Sequence, residues 1–284
     1  MTSLERGILL LCCALGQENV QPLTMAQLRD LSQKVHANSD RDDPMRDVTV
    51  QDLLELDYCR PEAERIVSLL EREDVLDRYE KAMQNHRLKA ITRISPAYPP
   101  IVSERLGLSA PPVLFCAGDE TLLQKPCISL VGSRKLRELG KKFAEQTGEL
   151  AAERGLVLCS GGAEGADRTA QEACLANGGC VIVFTPKRLL DYHPLKRLLV
   201  VSEGGCELGF STQRAMGRNR LIHAMGEKTF VAQCAYGSGG TWHGTVQNLK
   251  HQVSPVAVCA DGSEAMLRLC HLGATAVRNP AEFL

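Results

Sequence analysis

The 284-residue chain carries 33 Lys and Arg against 34 Asp and Glu, with 44% apolar, 24% charged and only 4% aromatic residues. That length accommodates one large or two modest domains with a sizeable buried core. A net charge of −1 excludes a global basic field, so nucleic-acid binding would need a local patch, and so few aromatics weaken any reading built on base-stacking platforms.

The twelve cysteines form no CxxC pair and no Cys/His group with zinc spacing. Cys159, Cys180, Cys234 and Cys259 sit in or beside apolar runs, where a thiol behaves as a small hydrophobe. The expectation is reduced cysteines, no metal or other cofactor, and a cytoplasmic protein. Glu5 and Arg6 precede an apolar stretch of only about eight residues, too short for a membrane span and unlike a signal peptide.

In chain order, residues 1–88 read as a small all-helical, SAM-like domain. Leu4, Ile8, Leu11 and Leu15 follow helical spacing up to Gly16. Thr24 caps a helix carrying Leu28 and Leu31, Asn38 to Asp47 is a polar surface loop, and Thr49 caps a short helix through Leu53, Leu54 and Leu56. A longer helix runs from Pro61 to Asn85, with proline in its first turn. Residues 89–127 lead into the core, punctuated by Tyr98-Pro99-Pro100 and Pro111-Pro112, with Val113 to Cys116 as an edge strand. From Ile128, strand runs at 128–132, 156–160, 180–185, 198–202, 229–234 and 255–259 alternate with helices over Leu136–Arg154, Ala166–Asn177, Gly217–Met225, Thr241–His251 and Ser263–His271. This alternation predicts an α/β fold, an extended Rossmann-like, doubly wound, mainly parallel sheet over 89–284, with its ligand at the carboxyl ends of the strands.

Two of those strands stop in small-residue turns. The first ends in Gly132-Ser133-Arg134, the second in Ser160-Gly161-Gly162-Ala163-Glu164-Gly165-Ala166-Asp167. Glycine lets backbone approach an anion, and the helix start behind it offers free N–H groups, so such a rim suits phosphate. The spacing fits neither GxGxxG nor GxxxxGK[ST]. Asp167 caps the helix or orients the turn. Arg134 adds a guanidinium that can fork onto phosphate oxygens. Arg214, Arg218, Asn219 and Arg220 cluster at a helix start. Lys187, Arg188, His193, Lys196 and Arg197 follow the strand at 180–185 and are expected at the same rim. Gly237-Ser238-Gly239-Gly240-Thr241 is another small-residue turn into a helix. A basic rim on a neutral chain is the pattern for holding a phosphodiester backbone rather than reading bases.

Taken together, these residues resemble the DprA/Smf family of DNA-processing proteins. The resemblance rests on Tyr98-Pro99 with Pro112-Val113-Leu114-Phe115 and Gly118, then Val131-Gly132-Ser133-Arg134 with Gly140. Ser160-Gly161-x-Ala163-x-Gly165-x-Asp167, Tyr192-x-Pro194, Ser202-Glu203, Phe210 through Arg218-Asn219-Arg220-Leu221-Ile222, and Gly237 to Thr241 continue it in order. It implies an extended Rossmann domain that binds single-stranded DNA, forms homodimers and loads a RecA-type recombinase. The implied contacts are Gly132, Ser133, Arg134, Ser160, Gly161, Gly162, Gly165, Asp167, Lys196, Arg218, Asn219, Arg220, Ser238, Gly239, Gly240 and Thr241. Glu164 and Ala166 depart from the family motif, which has a basic and a bulky aliphatic residue there, and no C-terminal winged helix is expected.

Two alternatives use the same rim. Lysine-decarboxylase-like nucleotide hydrolases carry Gly-Gly-x-Gly-Thr-x-x-Glu, but Gly244 stands here in place of that glutamate, so the expectation is a binding protein and not an enzyme. A sensor that binds a small nucleotide without turning it over remains the other reading.

Overall fold

The computed structural model describes residues 1–38, 47–193 and 195–284; most of the loop expected between Asn38 and Asp47, and Pro194, fall outside the described residues. Thr2, Thr24 and Thr49 form reciprocal capping boxes with Glu5, Gln27 and Asp52 and so start helices α1 (Ser3–Cys12), α2 (Met25–Ala37) and α3 (Val50–Glu55). The single helix expected from Pro61 to Asn85 is two, α4 (Arg60–Leu70) and α5 (Glu73–Asn85). The break has a purpose that periodicity does not register. It turns the buried Arg72 back onto the end of α1, where its guanidinium donates to the carbonyls of Leu10, Cys13 (3.0 Å) and Ala14 (3.3 Å) and to Gln17 Oε1 (3.2 Å). Carbonyls at and just past a helix end have no partner within the helix, so these donors satisfy groups the helix cannot.

Leu11 of α1 packs with Leu31, Leu53, Ile66 and Leu69 in a core of its own. Its neighbours Leu9 and Leu10 instead join Leu76 and Met83 of α5 against Phe115 and Val200 of the sheet. Arg6 ties α1 to α5 through Asp77 (2.7 Å) and Glu80 (2.6 Å). Tyr79 of α5 meets Phe115 edge to face, donates to Glu207 (2.6 Å) and accepts the N–H of Cys206 (2.9 Å).

The sheet follows. Strand β1 (Leu88–Thr92), helix α6 (Pro100–Leu106) and strand β2 (Val113–Gly118) lead in; then come β3 (Cys127–Val131), α7 (Glu138–Glu153), β4 (Val157–Ser160), α8 (Ala166–Ala176), β5 (Cys180–Phe184) and β6 (Leu198–Ser202). Helices α9 (Thr212–Gly217) and α10 (Asn219–Met225), strand β7 (Thr229–Val231), α11 (Gly239–His251), β8 (Val256–Cys259), α12 (Glu264–His271) and β9 (Thr275–Val277) complete it. The nine described strands lie in the order β1-β2-β6-β5-β4-β3-β7-β8-β9. Only β1–β2 and β2–β6 are antiparallel; the other described pairs are parallel. The fold is thus the doubly wound α/β sheet that the alternation predicts.

Some boundaries differ. Val113 to Cys116 is not at an edge: β2 pairs with β1 on one side and with β6 on the other, and its side chains are buried on both faces. The expected helix at Gly217–Met225 is interrupted at Arg218, which ends α9 and opens α10. β1, α6 and β9 are short elements that periodicity does not reveal.

From β3 the chain winds outward through β4, β5 and β6, then returns to place β7, β8 and β9 on the other side. The crevice opens where that direction reverses, above the carboxyl ends of β3 and β7. Phe143 and Ala144 of α7 and Ala170 and Cys174 of α8 cover one face. Val102, Leu221, Trp242 and Leu269, from α6, α10, α11 and α12, cover the other. The twelve cysteines are free thiols, most of them buried, and burial pushes Cys159 well above the ordinary thiol range. No helix among the described residues is long and apolar enough to cross a membrane.

Arg72→Met keeps the aliphatic bulk but strips the donors from the end of α1. The expected loss is about 3 kcal/mol of unfolding free energy, read from urea denaturation. An unchanged midpoint would show that water satisfies those carbonyls equally well.

Candidate nucleic-acid interface

The turns after β3 and β4 interlock through backbone. A Cβ at Gly165 would collide with the carbonyls of Ser133 and Arg134, and Gly165 also has φ +83°, so the position requires glycine. A Cβ at Gly132 would strike the Ala166 methyl. This explains the glycine at 132: even an alanine there would not fit over Ala166. The Ala166 N–H donates to Ser133 O (3.1 Å), and the Ser133 N–H to Gln233 O (2.8 Å). Gln233 also accepts the Arg137 N–H (2.8 Å) and donates to Lys135 O (3.2 Å), clamping the first turn from the β7 side.

Arg218 reaches into this junction from the start of α10. It is only 7% exposed. Its guanidinium fills the space where a Gly161 side chain would be, so Gly161 is a vacancy for Arg218 rather than an exposed donor. Its Nε and Nη1 are buried and have no hydrogen-bond partner among the described residues. Burial lowers its pKa, while the Asp167 carboxylate pulls the other way. Asp167, 6% exposed, accepts the Ala163 N–H (3.1 Å). Its own carboxyl is pushed up from 3.8 to about 6, because burial outweighs Arg218 and the N–H groups of Ala163 and Gly161. Asp167 therefore holds the glycine turn and offsets part of the Arg218 charge.

The third turn is joined to the same place. Thr241 Oγ1 donates to Gly132 O (3.0 Å), and Asn219 Nδ2 donates to Gly240 O (3.1 Å). Ser238 supplies no side-chain cap to α11, whose first-turn N–H groups have no acceptor within the helix itself. Beneath them, His223, Asn248, Ser254 and Thr229 form a buried polar network that fixes α10 against α11. Burial pulls His223 down to about 4, so it is neutral.

Around this centre the cations divide. Arg134 is exposed and its side chain makes no hydrogen bond or ion pair among the described residues, though its charge favours the Asp167 carboxylate and disfavours the Arg218 cation. Lys187 and Arg188 are exposed just beyond β5. Arg220, by contrast, grips Glu203 with both terminal nitrogens, one at 3.0 Å, and donates to Gly217 O (2.7 Å). Arg214 is absorbed by the carbonyls of Pro186 (2.8 Å) and Leu208 (2.7 Å) and by Ser202 Oγ (3.1 Å). Ser160 Oγ is turned inward to Gln171. Gly162 is exposed at φ +67°. Glu164 pairs with Arg168 (2.7 Å), which also holds Glu172 (2.9 Å), so its charge is matched on α8.

Lys196 is a correction. The chain returns from the end of β5 to the start of β6, Val181 opposite Leu198, and the Val181 N–H donates to Arg197 O (2.8 Å). Lys196 and Arg197 therefore stand at the amino ends of the parallel strands, across the sheet from the glycine turns. Order along the chain could not separate the two ends, because Lys187 and Lys196 flank one connection. Gln233 went unnoticed in the sequence because it lies in an apolar run that reads as strand.

The sheet is open and doubly wound, of the Rossmann type, with Arg134, Arg218 and three small-residue turns at its carboxyl rim. The chain belongs to the DNA recombination-mediator protein A family, whose model matches residues 89–284. It is 29% identical over 205 residues to DNA processing protein DprA of Streptococcus pneumoniae, 68% of this chain and 70% of that one. It is 27% identical over 217 residues to protein Smf of Escherichia coli, 70% of this chain and 56% of the relative's length. Among solved structures, that of S. pneumoniae DprA superposes with a TM-score of 0.70 at 24% identity, covering 92% of this chain and 97% of that one. DprA of Helicobacter pylori, described for its single-stranded DNA binding mode, gives 0.57 at 25% identity, over 69% and 93%. The family is one of non-enzymatic DNA-processing proteins. Gly244 stands where the hydrolases carry their glutamate, and a Cβ there would come within 3.3 Å of the Asn219 and His223 side chains.

Because the folded state raises the Asp167 pKa, protonated Asp167 favours folding in full below about pH 4, and this contribution is lost as pH rises through about 6. Asp167→Asn cannot ionise. Relative to the parent it should gain about 2–3 kcal/mol between about pH 4 and pH 7, read from urea midpoints at each pH. A pH-independent difference would mean that the carboxyl titrates normally.

Proposed function

We propose that the chain binds single-stranded DNA by its phosphodiester backbone along this rim, as a DNA-processing recombination mediator. The observation that carries the reading is Arg218, a buried guanidinium with two nitrogens lacking partners among the described residues, beside the exposed Arg134 and the start of α11, which has no side-chain cap. Removing a guanidinium from water is costly unless something satisfies it, and Asp167 does so only in part. A phosphate oxygen set between Arg134, Arg218 and the turns Gly132–Ser133, Gly162–Gly165 and Ser238–Thr241 would complete the arrangement. Asn219, Asp167, Gly161 and Arg220 would act by positioning, and Ser160 by fixing the second turn.

The relatives' description as DNA-processing proteins supports DNA over a mononucleotide. By the same kinship, the reading extends to a homodimer in the cytoplasm that passes the strand to a RecA-type recombinase. Contacts limited to backbone would make binding indifferent to sequence and sensitive to salt.

The test is a titration with single-stranded and duplex DNA at two salt concentrations, with mononucleotides as competitors. Arg134→Ala and Arg218→Ala should each weaken binding to single strands of any sequence and reduce the slope of log K against log salt by about 0.7. Gly161→Ala, which displaces Arg218, should copy the Arg218 loss. Unchanged binding in the arginine variants would remove them from the site. Saturation by one mononucleotide, with no preference for longer strands, would replace DNA with a small ligand.

A further inference from the structure

The chain has one Trp, five Tyr and six Phe. Only two of these aromatic side chains are exposed: Phe210, at 55%, and Tyr236, at 50%. Both stand in loops at the carboxyl ends of parallel strands, one on each side of Arg218. Single exposed apolar residues are ordinary and need no account. What sets these two apart is that the rest of a sparse aromatic set is withdrawn from solvent, and that each ring sits on a segment held in place at the rim.

Phe210 lies between β6 and α9, and the short α9 alone separates it from Arg218. Its loop is anchored by Arg214, which bonds the carbonyls of Leu208 and Gly209 just before it, Pro186 beyond β5 and Ser202 at the end of β6. Tyr236 lies between β7 and α11, immediately before the Gly237 to Thr241 turn that Thr241 and Asn219 fasten to the rest of the rim. Its ring meets Trp242 edge to face at 5.0 Å and 79°, with the Arg268 guanidinium 5.8 Å from its centre. Its hydroxyl has no partner among the described residues. The ring is thus held in orientation while half of the residue faces water.

We infer that Phe210 and Tyr236 are stacking platforms for nucleobases of the strand whose phosphates occupy the rim. The inference rests on the phosphate reading above and adds to it the means of selecting single strands. A duplex keeps its bases stacked on one another, whereas a single strand can lay a base on an exposed ring, and every base has a face to offer. Platforms on both sides of the buried guanidinium would hold the bases turned outward along the groove while the backbone lies against Arg134 and Arg218. Such contacts discriminate strandedness without reading sequence.

The experiment compares the whole chain bound to an oligo-dT of about twelve nucleotides with an abasic phosphodiester of the same length, which keeps the charge and lacks the bases. The parent should prefer the base-bearing strand. Trp242, the single tryptophan, touches Tyr236 and reports on it, so its emission should change with oligo-dT and not with the abasic strand. Phe210→Ala and Tyr236→Ala should each weaken oligo-dT binding about tenfold or more and leave abasic binding unchanged, while Tyr236→Phe stays near the parent. The double variant should lose the preference altogether. Parent protein that binds both strands equally would overturn the platforms and leave the phosphate reading intact. Alanine variants that bind oligo-dT like the parent, or that lose both strands alike, would overturn them as well. Parent protein that binds neither strand would sink the phosphate reading itself, and the platforms with it.

Discussion

The rim depends on one buried guanidinium. Arg218 occupies the space that Gly161 leaves, faces Asp167 at the start of α8, and begins the helix that carries Asn219 to Gly240. Every turn at the carboxyl edge is adjusted to it or to its neighbours: Gly165 to the carbonyls of the first turn, Gly132 to Ala166, Thr241 to Gly132. A charge in such a position is tolerable only with partial compensation, and the carboxyl that supplies it is itself strained towards the neutral form by burial. The glycines are required because backbone and a guanidinium compete for the same few ångströms.

This arrangement also explains how a chain of net charge −1 presents a cationic edge. The balance is struck pair by pair. Arg220 is matched by Glu203, Arg168 by Glu164 and Glu172, and Arg214 by carbonyls, so these arginines stabilise loops and contribute little outward field. Arg134, Lys187 and Arg188 are left without such partners among the described residues. Exposed i,i+4 pairs like Arg168–Glu164 contribute only modestly to stability, but this one gives Glu164 a cation of its own.

The parallel sheet and its winding were legible because apolar runs and amphipathic helices alternate from Ile128 onward, and burial on both faces of a parallel strand leaves a continuous apolar stretch. Glycine turns were legible for a related reason, since only glycine fits at Gly132 and Gly165. Pairing was not. Nothing in the order of residues separates Arg218, buried beside Asp167, from Arg220, clasped by Glu203 on the same short helix. Nor does it place Lys196 at the opposite end of the strands from Lys187, because a connection of that length can return to either end. The β1 strand, Leu-Lys-Ala-Ile-Thr, has no continuous apolar run and so escaped notice, and with it the inner position of β2. Composition suggested too few aromatics for stacking, yet the number of rings matters less than where the exposed ones stand.

The N-terminal helices are more than an appended cap. Within α1, Leu11 faces one core while Leu9 and Leu10 face the sheet, and Tyr79 of α5 rests on Phe115 while gripping Cys206 and Glu207, in the stretch that runs into α9. The helical layer therefore works as a buttress for the outer half of the sheet. Shaving it away would bare Phe115 to water and unmoor the segment ahead of Arg218, so a shortened chain would lose its footing at the rim even with every rim residue still present.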